Sequence, residues 1–219
     1  MIRVDFSVPF QFEAIPIGID FTTAWAEVNA RNARLSRTME QDQLSLTEMA
    51  RNLQQVSCLL DQTGAVYAAN CLHSFQGELS LGSLAVVVVD FPYGNDTRSA
   101  AQGTLRAILA SRGAGWAGTV FETPCGQAAV FTGGQSYELP PAFSKTGEPI
   151  QVLTTQLHAV IPIPSSRSAN DRGDSGRMCL IAFSTPNHGH WEKCYAPIMA
   201  SVLRSLQFTE VTPARDRDQ

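Results

Sequence analysis

Met178-Cys-Leu-Ile-Ala-Phe183, followed by the break Ser184-Thr185-Pro186-Asn187 and a run that closes on Leu206-Gln207-Phe208, decides the architecture of this chain. The first piece is a short, continuous apolar run, which reads as a strand; it is Val86-Val-Val-Val89, further upstream, that reads as buried on both faces. In the last piece Tyr195, Ile198, Met199, Val202, Leu203 and Leu206 recur at helical spacing, so a helix with one apolar face is expected there, running to the end of the unit. Upstream, Ile150–Ile163 reads as a second long strand. The polar segment Pro164–Arg177 joins the two as a mobile loop, which makes them antiparallel neighbours.

Hairpins continue toward the N-terminus. Trp116–Thr123 and Gln127–Thr132 read as strands around Pro124-Cys-Gly126, and Ala65–Phe75 and Leu79–Phe91 as strands around Gln76-Gly77-Glu78. Between these pairs, Thr97–Arg112 is a helix with Ala101, Leu105, Ile108 and Leu109 inward and Gly113 as its stop. Phe21, Trp25, Val28, Asn32 and Leu35 form one helical stripe; Leu46, Met49, Leu53, Val56 and Leu60 form another. Ser45 and Glu48 have the spacing of a capping box, and Gly64 is placed to end the second helix. Phe21–Asp61 is therefore expected to be a helical hairpin. Met1–Ile17 supplies one or two strands, with Pro9 favouring an edge. Thr209–Gln219 is charged and reads as a disordered tail. Hairpins dominate the order, so the class is α+β: a mainly antiparallel sheet flanked by helices, in one domain spanning 1–208.

Composition narrows the function. With 219 residues, 44% hydrophobic and 16% charged, the chain is an ordinary globular sequence of low charge density. A net charge of −4 argues against a nucleic-acid groove or an anionic membrane as partner. Of its sixteen basic residues only Lys145 and Lys193 are lysine, which points to codon bias in a GC-rich bacterial genome. Met1-Ile-Arg-Val-Asp-Phe6 has no charged and apolar leader pattern, and no run approaches the length of a membrane span. Five widely spaced cysteines, without a CxxC, fit reduced thiols in a cytoplasm.

The long strand ending Val-Ile-Pro-Ile-Pro, the loop, Cys-Leu-Ile-Ala-Phe-Ser-Thr-Pro-Asn and the closing Ser-Leu-Gln-Phe together resemble the PsbP-like α/β sandwich. That family is named for an extrinsic subunit of photosystem II and includes a Ran-binding nuclear import factor and many bacterial proteins. The resemblance covers 65–208. It implies a role in binding or assembly and brings no catalytic residues with it.

Several residue groups hold chemistry in principle. His188, His190 and Cys194, with Glu192 between, are zinc-compatible ligand types, although the spacing fits no standard finger or metalloprotease; a polar loop leading into a helix is the simpler reading. Cys125 lies in a tight turn, where a nearby base such as His73 or His158 would be needed to make it a nucleophile; a structural thiol is the alternative. Asp171-Arg-Gly-Asp174 reads as a chance triplet in a polar loop. No GxGxxG follows a strand, and GKS, GKT and GxSxG are absent. Trp25, Trp116 and Trp191 read as core or rim anchors; Trp191 and Tyr195, if exposed together, mark a partner surface.

The reading is a non-catalytic binding, adaptor or assembly protein of the cytoplasm, such as a chaperone or scaffold subunit of a bacterial secretion or phage-tail-like machine. It expects no cofactor and another protein as partner, through the helical hairpin with Leu53 and Leu60 or through the Pro164–Arg177 loop, and leaves self-association open. The alternative is an enzyme or small-molecule binder with a pocket lined by His158, His73 and Cys125, whose convergence in one cleft would favour it.

Overall fold

β7 (Ile150–Ile163) and β8 (Arg177–Thr185) sit at the middle of the molecule because both of their faces are covered. Cys179, Ile181 and Phe183 face the larger core, while Met178 and Leu180 face the smaller one on the other side. A strand with apolar partners on both faces has no need of alternation, which is why Met178–Phe183 is a continuous apolar run. The computed structural model describes residues 2–35, 43–91, 96–141, 144, 146–164 and 176–210. Around the central pair lie β2 (Phe12–Ala14), β3 (Ala65–Phe75), β4 (Glu78–Asp90), β5 (Trp116–Thr123) and β6 (Gly126–Leu139). Among the described residues they form a seven-stranded sheet in the order β2-β3-β4-β8-β7-β6-β5, antiparallel at every pairing. The class is α+β.

The two faces carry different helices. α3 (Thr97–Arg112) lays Ala100, Leu105, Ile108 and Leu109 on Ala129, Phe131 and Val160. Its ends follow local chemistry: Asp96 accepts a hydrogen bond from the Arg98 amide, and Gly113 at φ 76° closes the C-terminus. α4 (Ala196–Ser205) covers the opposite face, burying Met199, Val202 and Leu203. A π turn, Trp191–Tyr195, leads into it and directs both Cys194 and Tyr195 inward. α1 (Phe21–Leu35) and α2 (Gln43–Gln62) pair with each other through Ala24, Val28, Leu46 and Ala50. The expected N-terminal helical hairpin is thus present. Among the described residues no helix is long and apolar enough to cross a membrane.

Several boundaries differ from the sequence reading. The last helix stops at Ser205: Leu206 is extended, and Gln207–Glu210 form β9, which pairs with β1 (Ile2–Asp5) in a separate antiparallel ribbon. Phe208 and Leu206 still point to the core, so periodicity alone did not separate a helix end from a strand start. α2 begins at Gln43, which places Ser45 inside the first turn rather than at the cap. β6 runs on to Leu139, beyond the expected Thr132. The expected mobile loop, with its Arg-Gly-Asp triplet, has 165–175 outside the described residues, as are 211–219 of the expected tail.

Candidate functional site

The helical hairpin is tied to the rest of the fold by polar contacts of Ser57 and Arg31. The Ser57 hydroxyl, fully buried, accepts from the Ile19 amide at 2.9 Å, and the Ser57 carbonyl accepts from Gly18 at 3.2 Å. Arg31 donates to Glu27 at 2.9 Å and to the Ala14 carbonyl at 3.1 Å, and lies 3.3 Å from Glu13. These contacts tie α1 and α2 to the segment that leads out of β2. Beside the buried seam, α2 turns a second apolar stripe outward. Met49 and Val56 are 46% and 43% exposed, and Leu59 60%. Leu53 and Leu60, half-buried, lie between that stripe and the seam. A helix in water gains nothing by exposing three large apolar residues on one side, so this face is the strongest candidate for contact with another molecule.

A polar chain runs through the larger core. The Tyr195 hydroxyl lies 2.7 Å from Ser80 Oγ, Ser80 Oγ 2.8 Å from His190 Nδ1, and His190 Nε2 3.2 Å from the Glu78 carboxylate. Glu78 as a carboxylate only accepts, so His190 Nε2 donates to it, while Ser80 Oγ bridges His190 Nδ1 and the Tyr195 hydroxyl. The serine, histidine and glutamate resemble a hydrolytic constellation, but the burial is reversed. Ser80 has no exposed surface, whereas the Glu78 side chain is 77% exposed. A nucleophile must meet substrate, so the network is a tie between β4, the turn at His188–His190 and the π turn. Sequence gave no signal of it, because Ser80 and His190 are 110 residues apart.

His73 sits beside this chain, with Nδ1 3.2 Å from Cys71 Sγ and Nε2 3.5 Å from Cys194 Sγ. Burial, with a smaller contribution from Cys194, pushes the Cys71 thiol up to about 11, and burial raises Cys194 as well. Both therefore remain thiols at neutral pH and are poor nucleophiles. The sulfurs approach different nitrogens of one ring, which a single metal ion cannot bridge. His188 is exposed, His190 is engaged with Ser80 and Glu78, and Cys194 lies with His73, so these three are not gathered. Among the described residues no group of three or more His, Cys, Asp or Glu side chains is arranged to hold a metal ion.

His158 occupies the opposite face. Its ring stacks on Phe131 at 5.4 Å and meets Trp116 at 5.6 Å, and its Nε2 donates to Gln156 Oε1 at 3.0 Å. Burial, then the Arg112 charge, holds its pKa below the usual histidine value. Cys125 is half-buried at the β5–β6 turn, and its thiol donates to the Leu206 carbonyl at 3.1 Å. His158, His73 and Cys125 therefore do not share a cleft: His73 and Cys125 border the larger core, and His158 faces the smaller one. Tyr195 is fully buried against Phe183, so it forms no exposed patch with Trp191. Gly113-Ala-Gly-Trp-Ala-Gly118 has GxGxxG spacing, but it leaves a helix and enters a strand, the reverse of the order that presents a helix N-terminus to a phosphate.

No family model matches the chain, and no curated protein matches it. Among solved structures it is similar to LpqN, described as involved in cell envelope biogenesis of Mycobacterium tuberculosis, at 12% identity and a TM-score of 0.43, over 96% of this chain and 85% of that one.

Proposed function

We propose that this protein is a non-catalytic adaptor or assembly protein, a PsbP-like sandwich in one domain over 1–208, which works in the bacterial cytoplasm and binds another protein through α2. The carrying observation is the outward stripe of Met49, Val56 and Leu59 beside Leu53 and Leu60. Such a stripe suits helix-in-groove contact, in which apolar anchors at helical spacing supply the affinity. The burial of Ser80, the protonated thiols and the separation of His158 from His73 and Cys125 support a binding role over the pocket alternative. A chaperone or scaffold subunit of a secretion or phage-tail-like machine is the specific form of this reading.

The test is affinity capture from native cytosol, read by mass spectrometry. Wild type is run beside Leu53→Asp/Leu60→Asp and beside Met49→Asp/Val56→Asp, the second altering side chains already in water. A stoichiometric partner held by wild type and lost by both variants, with helix content retained, is the expected result. A partner retained by both, or none captured by folded wild type, overturns the reading.

A further inference from the structure

β5 forms one outer edge of the seven-stranded sheet, and among the described residues no strand pairs with its outer side. Exposed edges are normally blunted by lysine, proline or a bulge. Trp116-Ala-Gly-Thr-Val-Phe-Glu-Thr123 has no lysine or proline, and its register with β6 is unbroken from Trp116 opposite Gly133 to Thr123 opposite Gly126. The neighbouring helices lie over the faces of the strand. Leu105 and Leu109 of α3 lie against Gly118 on one side, and Arg204 of α4 lies 5.7 Å from the Phe121 ring on the other. Ala117, Gly118 and Thr119 remain exposed between them.

We infer that β5 pairs antiparallel with β5 of a second copy of this chain, joining two sheets about a two-fold axis at Thr119. Opposed residues in an antiparallel pair share a face, so a two-fold axis must pass through a residue position. With the axis at Thr119, Trp116 faces Glu122 of the second copy, Ala117 faces Phe121, and Gly118 faces Val120. Every large side chain then meets a small one or a charge. Arg112 is exposed and lies 4.8 Å over the Trp116 ring; in the dimer its guanidinium turns outward from Gln135 to meet Glu122 of the second copy, which exchanges its bond from Gln127 for this charge pair, twice per dimer. Gly133 gives the indole its room: a Cβ there would sit 2.4 Å from the Trp116 ring, so only glycine lets it lie flat over β6, where Arg112 stacks on it and donates to Gln135 Oε1 at 3.4 Å. An axis at Val120 would instead bring Glu122 onto Gly118, beneath Leu105 and Leu109, and leave Trp116 unpaired. Backbone hydrogen bonds supply the affinity and the two charge pairs set the register. The opposite edge, β2, has three residues, so the contact closes as an isologous dimer rather than a filament. The inference is independent of the α2 surface.

Sedimentation velocity over a concentration series tests it with the full chain. Wild type is expected to dimerise. Thr119→Lys, which sets two lysines on the axis at an exposed position, is expected to weaken the dimer by roughly tenfold or more. Arg112→Glu and Glu122→Arg are each expected to weaken it, and an equimolar mixture of the two to restore it, since that heterodimer has one native and one swapped pair. Met49→Asp/Val56→Asp is expected to leave it unchanged. A wild type monomeric at all concentrations, a dimer indifferent to Thr119→Lys, or single variants whose mixture stays monomeric would each overturn the inference.

Discussion

Ser80 shows how much one hydroxyl can hold. It bridges His190 Nδ1 and the Tyr195 hydroxyl, and all three residues are buried. Ser80→Ala keeps the shape and strands both partners, so it is expected to destabilise the fold by about 1–3 kcal/mol, the desolvation of an unsatisfied buried group. Denaturant unfolding measures this directly. Glu78→Gln is the control: its side chain stays in water, so its effect should be much smaller. Equal effects from the two changes would mean that the buried relay is not the stabilising part. The sequence reading took His190 and Cys194 as ligand types and put Tyr195 on the apolar face of the last helix, with a partner surface only if it were exposed together with Trp191. Each is placed by a residue far along the chain, which local pattern does not report.

At the scale of elements, β9 is the informative case. A strand of four residues at the end of the described residues pairs with β1 at their beginning, and Val4 and Phe208 pack together over the larger core. Neither strand is stable without the other. Phe208→Asp is therefore expected to release both, raising hydrogen exchange at 2–5 as well as at 207–210 while the amides of β7 and β8 stay protected. Loss of protection at β9 alone would show that β1 is held by other contacts. The strands of the sheet were legible because a hairpin writes itself locally, as two apolar runs and a turn. The β1–β9 ribbon was not, because its partners are separated by nearly the whole chain.

The whole molecule should show a stability plateau bounded by groups that are buried uncharged. His158 titrates below its ordinary 6.5 when folded, so the unfolded chain binds more protons and stability falls as pH drops below about 6.5. On the alkaline side Cys71 and Cys179 are pushed up to about 11 and about 12 from an ordinary 9.0, so the unfolded chain loses protons first and stability falls above about 9. Thermal midpoints across pH test both limits. His158→Gln should flatten the acid slope, and Cys179→Ala the alkaline one, whatever each does to the plateau height. An acid slope unchanged in His158→Gln would assign it to other groups.

The sequence by itself determined the class, the antiparallel pairing of β7 with β8, the helical hairpin and the span of α3 with its glycine stop. All of these rest on local signals: apolar periodicity, turn residues and the left-handed backbone that glycine permits. Only the tertiary structure decided what the polar residues do. It buried Tyr195, turned Ser80 inward and Glu78 outward, and sent His158 to one face of the sheet and His73 and Cys125 to the other. The physical reason is that a side chain's solvent and partners are fixed by residues tens to hundreds of positions away, whereas a helix or a hairpin is fixed by neighbours within a few.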